Sequence, residues 1–150
     1  MKTKTNCLLL IIALVLNFKS ISQINFQKAY GLLPHNTCYS AKQNPDGTYI
    51  ISGREIWNNA NRCCLMKLDV DGDTLWTKIY GDSSTYSGHL FSVIRTHDNY
   101  FVATGVRGEP GISTHCFVLK TDINGNLIWC KNYSGTGFTD GWGQTILETD

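Results

Sequence analysis

The sequence predicts an all-β fold made of repeated four-stranded antiparallel sheets, the architecture of β-propeller blades. Two segments, LDVDGDTLW (residues 68–76) and KTDINGNLIW (residues 120–129), are near copies. Their shared residues recur at a constant interval of 53 positions, in the pairs Asp69 and Asp122, Gly72 and Gly125, and Trp76 and Trp129. Short apolar runs and turn residues also alternate through both copies. A period of roughly 50 residues with four strands per repeat is typical of a propeller blade.

The N-terminal segment, residues 1–22, has the pattern of a secretory signal. Lys2 and Lys4 precede an apolar run from Leu8 to Leu16, and the small residues Ser20 and Ser22 follow it. The run is far shorter than the roughly 20 residues of a membrane-spanning helix. We therefore expect cleavage after Ser22 and a secreted domain of residues 23–150 with no stable membrane span, an uncleaved anchor being the alternative.

The first repeat contains four predicted strands. They are SAKQ, TYIISG, CCLMKLD and LWTKIY, at residues 40–43, 48–53, 63–69 and 75–80. Each is short and bounded by turn residues, and the turns NPDG and VDGD join the first strand to the second and the third to the fourth. The repeat is therefore predicted to be an antiparallel meander.

The second repeat follows the same order with LFSVIRT, YFVATGV, HCFVLKTD and LIWCKNY, at residues 90–96, 100–106, 115–122 and 127–133. Its runs are rich in aromatic and β-branched residues, which suit a pleated surface. The Asn-Gly of the turn INGN supplies the positive φ angles of tight primed turns. Tyr100 follows Tyr49 by 51 residues and is predicted to be its equivalent.

A third copy begins with GWGQTILETD (residues 141–150), which is predicted to be a first strand and the start of a turn. About two and a half blades are therefore present, with boundaries near residues 76 and 129, whereas a closed ring usually has about four to eight. We expect an incomplete propeller, an N-terminal fragment whose missing blades lie in further C-terminal sequence. A ring completed by association of copies is the alternative.

Charge and composition limit the function. Hydrophobic residues make up 42% of the chain and charged residues 17%, which is ordinary for a globular protein. After residue 22 the chain has ten basic and twelve acidic residues and no basic stripe. The attraction to phosphate on which nucleic-acid binding depends is therefore missing, and no nucleic-acid partner is expected.

The mature domain has five cysteines, an odd number that leaves at least one unpaired. Cys63 and Cys116 are 53 residues apart and occupy equivalent places, which favours buried thiols that pack as small hydrophobic side chains. One disulfide and a metal site are the alternatives, since export permits disulfides but no spacing of Cys and His matches a zinc site.

The segments LDVDGDTLWTKIYG and KTDINGNLIWCKNYSG resemble blades of secreted bacterial propeller proteins, which often end in a type IX secretion sorting domain. Their Asp…Gly…Leu-x-Trp order is also similar to the tryptophan-docking motif of quinoprotein-like propellers. The resemblance covers nearly the whole mature chain and implies that Trp76 and Trp129 pack between neighbouring blades. It is specific for fold and not for function, since such blades occur in enzymes, receptors and scaffolds.

Chemical motifs give little support for catalysis. Asp69, Asp71 and Asp73 form an acidic turn that is a weak calcium candidate, but a calcium-binding loop of the EF-hand type would need a glycine where Thr74 lies and a glutamate where Tyr80 lies. A plain hairpin turn is favoured. No nucleophile elbow occurs, and no residue can be assigned to a catalytic role or to a cofactor.

The longer loops are predicted to lie together at one end of the blades, because the tight turns alternate with them along each meander. These loops contain aromatic and charged side chains, which make them the candidate ligand face: Arg54, Trp57, Arg62, Tyr86, Arg107, Phe138, Asp140 and Trp142. Ordinary packing between loops and blades is the alternative role. We expect a binding or scaffolding protein at or outside the cell surface that recognises a glycan or a protein. The alternative is part of a secreted enzyme, polysaccharide-active or quinone-type, whose catalytic residues lie outside this chain.

Overall fold

The computed structural model describes residues 26–30, 36–57, 60–81, 87–109, 113–133 and 141–149, with the side chains of Trp57, Glu109 and Ser113 excepted. The predicted signal peptide, Tyr86, Phe138 and Asp140 lie outside these residues. The described part of the chain forms eight strands and no helix: β1 Thr37–Gln43, β2 Tyr49–Trp57, β3 Ala60–Leu68, β4 Thr74–Tyr80, β5 Ser87–Arg95, β6 Phe101–Glu109, β7 Ser113–Thr121 and β8 Leu127–Tyr133. It accordingly contains no helix long and apolar enough to cross a membrane.

The strands form two antiparallel four-stranded sheets, in the orders β1-β2-β3-β4 and β5-β6-β7-β8. Within each sheet every strand pairs with its neighbours in sequence, so that each sheet is a meander. The predicted all-β class and the predicted four-stranded sheets are confirmed. The chain passes from the first sheet to the second between Tyr80 and Ser87.

Two segments predicted as long loops are largely strand. β2 and β3 stay paired as far as Trp57 and Ala60, and β6 and β7 stay paired as far as Glu109 and Ser113. Arg54, Trp57, Arg62 and Arg107 therefore lie in strands, and their prediction as loop residues was wrong. These strand ends could not be identified from the sequence because their residues are polar. The polar residues nevertheless form cross-strand pairs, such as the ion pair between Arg62 and Glu55 at 3.3 Å.

The register corrects one predicted equivalence. Tyr49 lies opposite Leu68, and Phe101 lies opposite Thr121. Leu68 and Thr121 are separated by the same interval as the repeated residues of the turns that follow them, so they are equivalent. The counterpart of Tyr49 in the second sheet is therefore Phe101 and not Tyr100. The interval between the second strands is slightly shorter than that between the third strands, because the connection from β6 to β7 is longer than the one from β2 to β3.

The four tight turns share one geometry. In each, the N–H of the fourth residue donates to the carbonyl of the first, as from Gly72 to Asp69 at 3.2 Å and from Gly125 to Asp122 at 3.0 Å. Only the fourth residue has a positive φ, and those residues are Gly47, Gly72, Asn99 and Gly125. A primed two-residue turn needs positive φ at its central residue or residues, so the predicted primed turn was wrong. The left-handed residue is instead the fourth of each turn, a glycine in three turns and Asn99 in the other, and it returns the chain to the strand.

The two sheets pack face to face around one apolar core. Its members are buried side chains from both sheets: Ile50, Cys63, Leu65, Tyr80, Leu90, Val93, Phe101, Ala103, Phe117 and Leu119. Fully burying a side chain of this size contributes about 1.5–3 kcal/mol. The contact between the sheets is therefore the main source of stability in this part of the chain.

Two aromatic residues of β4 dock the first sheet onto the second. The ring of Trp76 lies edge-to-face on Phe101, with centroids 6.1 Å apart. A Cβ at Gly125 would lie 3.0 Å from the same indole. The hydroxyl of Tyr80 donates to the carbonyl of Gly125 at 2.8 Å in a buried hydrogen bond.

Residues 141–149 lie across the free face of the second sheet without forming a strand, which corrects the predicted first strand. Gly141 and Gly143 donate from their N–H groups to the carbonyls of Thr114 and Gly105, each at 3.0 Å. A Cβ at Gly143 would lie 2.9 Å from Sγ of Cys116, and one at Gly88 would lie 2.7 Å from Sγ of Cys63. The segment therefore takes the place over the second sheet that β5 takes over the first. In both sheets the first strand, β1 or β5, pairs with the strand that follows it in sequence.

Candidate functional site

The described ligand-face candidates do not gather at one place through their side chains. Arg62 pairs with Glu55, and the guanidinium of Arg107 lies over the ring of Phe117 with its carbon 5.5 Å from the centroid. Arg54 donates to Thr37 and Asn61. Three of the described candidates are thus engaged in contacts within the sheets, whereas Trp142, 61% exposed, presents a large aromatic surface to solvent.

Trp142 belongs to a continuous set of rings, here called the aromatic row, formed by Tyr39, His89, Phe91 and Trp142. Tyr39 stacks on His89, with centroids 5.8 Å apart and planes 12° apart, and meets Phe91 edge-on at 5.0 Å. His89 also meets Phe91 edge-on at 5.8 Å. Trp142 stacks on Phe91, with centroids 6.1 Å apart and planes 26° apart. The row crosses from the first sheet to the segment beyond the second.

Two β-bulges position the row. The ladder of β1 shifts register between Cys38 and Ser40, and the ladder of β5 shifts between Leu90 and Ser92. The unpaired residue at each shift is aromatic, namely Tyr39 and Phe91. A bulge re-aims the side chain of its extra residue away from the regular alternation of the strand. The two rings can therefore meet although they lie on the edge strands of different sheets.

The row repeats along the chain. Tyr39 and Phe91 are the corresponding bulge residues of β1 and β5, and His89 and Trp142 are 53 residues apart. The stacked pair of Tyr39 and His89 is thus repeated by Phe91 and Trp142. The sequence pattern indicated Trp142 and missed the other three. Tyr39 and Phe91 were missed because register shifts within a strand leave no local sequence signal. The regular interval between His89 and Trp142 was the available clue.

The row is uncharged at neutral pH. Burial, aided by the nearby charge of Arg54, lowers the pKa of His89 below its usual value. Nδ1 of His89 lies 3.4 Å from the hydroxyl of Tyr39, within hydrogen-bond distance. Within the described residues Arg54 has neutral hydrogen-bond partners and forms no ion pair. The guanidinium of Arg54, which in this part of the chain is not paired with a carboxylate, therefore lies next to the neutral aromatic row.

The acidic turn engages the carboxylate of Asp69 within the turn and that of Asp73 with a lysine outside it. Oδ1 of Asp69 accepts hydrogen bonds from the N–H groups of Asp71 at 3.0 Å and Asp73 at 2.7 Å. Asp73 pairs with Lys28 at 2.6 Å. Asp122 accepts from the same two positions of its own turn, Asn124 and Asn126, each at 2.8 Å. This geometry is that of a capped hairpin turn, and the described residues include no group of three or more His, Cys, Asp or Glu that could hold a metal.

A cavity of about 600 Å³ lies on the face of the first sheet that points away from the second sheet. Its lining includes Tyr30, Ile51, Gly53, Cys64 and Met66. Burial raises the pKa of the Cys64 thiol to about 12, so that it is neutral and weakly nucleophilic. The cavity therefore lacks the activated group that catalysis by this thiol would require.

The remaining residues singled out in the sequence are the cysteines and Trp129. All five described cysteines are free thiols, and Cys63 is buried at 2% exposure. Trp129 is half-buried, and Nζ of Lys131 lies 5.5 Å from its ring centroid. Trp129 thus lies on the free face of the second sheet. Its position there is equivalent to that of Trp76 in the first sheet, which contacts the second sheet.

Comparison with known proteins adds no assignment. The sequence matches no model of a known protein family, and a search of curated proteins also gives no match.

Proposed function

We propose that the chain is a secreted, propeller-type repeat protein that binds a glycan at or outside the cell surface through its aromatic row. The observation that carries this proposal is the repeated stacking of Tyr39 with His89 and of Phe91 with Trp142. The secretory pattern of residues 1–22 supports export. The row replaces the predicted loop face as the ligand surface, with Trp142 common to both.

The propeller arrangement is supported by the way in which the repeats succeed one another. The first sheet meets the second through Trp76, Tyr80 and the thiol of Cys63, and the second sheet has Trp129, Tyr133 and Cys116 at the equivalent places. Residues 141–149 already cover Cys116 as β5 covers Cys63. Repetition of one face-to-face contact is how propeller blades stack around an axis.

The exposed area of the row favours a glycan over a folded protein. Taking about 200 Å² for each ring, the exposed 39% of Tyr39 and 61% of Trp142 amount to roughly 200 Å². A stable protein–protein interface buries roughly 800 Å² on each partner. A narrow row of rings instead matches the apolar faces of successive sugar rings, and Arg54 adds a donor for hydroxyl or carboxylate groups.

The test is calorimetric titration of residues 23–150 with soluble oligosaccharides, both neutral and uronate-containing. At least one should bind, and Trp142→Ala should weaken that binding at least tenfold, which corresponds to about 1.4 kcal/mol. Leu147→Ala is the matched control, because Leu147 is 69% exposed in the same segment and lies outside the row. Absence of binding across both classes, or equal loss in the two variants, would contradict the proposal.

A further inference from the structure

Residues 26–30 contact the first sheet in the same way as β4 contacts the second. The hydroxyl of Tyr30 donates to the carbonyl of Gly72 at 2.8 Å, as Tyr80 donates to Gly125 at 2.8 Å. Gly72 and Gly125 are equivalent glycines of the two turns that precede β4 and β8. The two hydrogen bonds are therefore one contact made in consecutive repeats.

The aromatic contacts repeat as well. A Cβ at Gly72 would lie 2.5 Å from the ring of Phe26, as one at Gly125 would lie 3.0 Å from the ring of Trp76. Phe26 also lies edge-to-face on Tyr49 at 5.6 Å and 77°. Trp76 has the same relation to Phe101, the counterpart of Tyr49, at 6.1 Å and 63°.

The sequence of the segment agrees with these contacts. Residues 26–30 read FQKAY, residues 76–80 read WTKIY and residues 129–133 read WCKNY. All three have an aromatic residue, a lysine two positions later and a tyrosine two positions after that. Lys28 pairs with Asp73 of the turn it contacts. Residues 26–30 therefore have both the pattern and the docking contacts of a fourth strand.

Among the described residues, no strand lies beside residues 26–30 that could precede such a fourth strand in its sheet. Within the described residues no backbone hydrogen bond joins residues 26–30 to a neighbouring strand. The cavity of about 600 Å³ adjoins Tyr30 and lies over Ile51, Gly53, Cys64 and Met66. By register, the equivalents of these four in the second sheet are Ala103, Gly105, Phe117 and Leu119, all buried on the face that packs against the first sheet.

We propose that residues 26–30 are the detached fourth strand of another repeat, and that the open face of the first sheet receives the first three strands of that repeat. The occupant is a three-stranded antiparallel meander of the β5–β7 type, whose last strand pairs with residues 26–30. An unpaired strand edge is a template for such addition. The added strands would pack on the first sheet in the same way as the first sheet packs on the second, one repeat earlier in the chain. This inference concerns the scaffold and does not depend on glycan binding.

The test is a fusion in which a copy of residues 87–126 is joined directly ahead of residues 24–150. Phe26 then follows the added turn at the distance at which Trp129 follows it in the second repeat. The backbone amides of residues 26–30 should exchange with deuterium at least tenfold more slowly than in the unfused chain, and the added strands should be protected. A fusion carrying Phe117→Asp in the added copy is the control, and it should lose this protection because its apolar face is interrupted.

Unchanged exchange of residues 26–30 in the folded fusion would overturn the proposal. If the fusion does not fold, the unfused chain still tests the docking contacts. Tyr30→Phe should then lower the urea midpoint as Tyr80→Phe does, while Tyr133→Phe, the equivalent change in the 52% exposed Tyr133, should leave it unchanged. No effect of Tyr30→Phe would contradict the docking role. Self-association of the unfused chain that Met66→Asp abolishes would assign the face to a second copy and would also contradict the proposal.

Discussion

Gly125 lies where a side chain would separate the two sheets. Its φ is +77°, and a Cβ would approach Cγ of Lys78 at 2.8 Å and the Trp76 ring at 3.0 Å. Gly81 has a φ of +116° with no atom within 4 Å of its Cβ position. Both positions therefore impose backbone strain on an alanine, but only Gly125 adds a steric conflict.

We predict that Gly125→Ala destabilises the protein by more than Gly81→Ala. Backbone strain costs about 1–2 kcal/mol at either position, and displacement of packed side chains costs about 1–3 kcal/mol more at Gly125. Urea unfolding of the two variants measures the difference. Equal free energies of unfolding would mean that Trp76 does not contact this turn in solution.

Asp46 links the first turn of one sheet to the first strand of the other. A hydrogen bond from the hydroxyl of Thr48, with the partner Arg95, lowers the pKa of Asp46 to about 2. Because the folded-state pKa lies below the unfolded value of about 3.9, the stabilisation is present above pH 4 and is lost as the pH falls through about 2.

We predict that Asp46→Asn loses less stability than the wild type between pH 4 and pH 2. Thermal unfolding midpoints at pH 7, 4 and 2 measure this. Asp71→Asn is the control, because Asp71 lies in an equivalent acidic turn and its carboxylate makes no hydrogen bond within the described residues. An acid dependence of Asp46→Asn equal to that of the wild type would exclude the proposed role of the carboxylate.

Among the strands, those that line the core contribute most to the free energy of unfolding. Phe101 is fully buried and contacts Trp76 of the other sheet. We predict that Phe101→Ala costs about 3–5 kcal/mol, whereas Leu127→Ala, at a side chain 49% exposed, stays within about 0.5 kcal/mol of the wild type. Urea denaturation measures both. A small effect of Phe101→Ala would mean that the sheets do not pack against each other in solution.

The chemical reactivity of Cys63 in β3 measures the opening of the same core. Burial raises the pKa of its thiol to about 12, whereas Cys130 of β8 is exposed. Since the thiolate is the reactive species, iodoacetamide at pH 8 should modify Cys130 in the native protein and Cys63 only after urea is added. Mass spectrometry of the peptides distinguishes them. Native modification of Cys63 at the rate of Cys130 would contradict the buried place of Cys63.

Element types could be predicted from the sequence, and their ends could not. Turn residues and apolar runs indicated all eight strands, because β-branched and aromatic residues concentrate in the paired middle of each strand. The ends of β2, β3 and β6 contain Arg, Glu or Asn, and that of β7 contains Ser, Thr and His; these residues are paired across the ladder by geometry that composition does not encode. The bulges at Tyr39 and Phe91 were missed for the same reason, and with them most of the aromatic row.

At the scale of the whole molecule, one contact made by successive repeats organises the fold. Trp76 and Tyr80 dock the first sheet onto the second, and Phe26 and Tyr30 make the same contact with the first. The resemblance of its repeat to propeller blades predicted that Trp76 packs between blades, and Trp76 contacts Phe101 of the other sheet. It did not reveal residues 26–30, because so short a match with Phe in place of Trp is hard to identify without the contacts.

The repeated docking contact is tested most directly by the proton NMR spectrum of residues 23–150, with the Hα signals of Gly72 and Gly125 assigned. A ring above a glycine shifts its Hα signals upfield, so both residues should differ from random-coil values. Phe26→Ala should return only Gly72 toward the random-coil position, and Trp76→Ala only Gly125. Random-coil shifts at both glycines in the folded wild type would contradict the repeated docking contact on which the account depends.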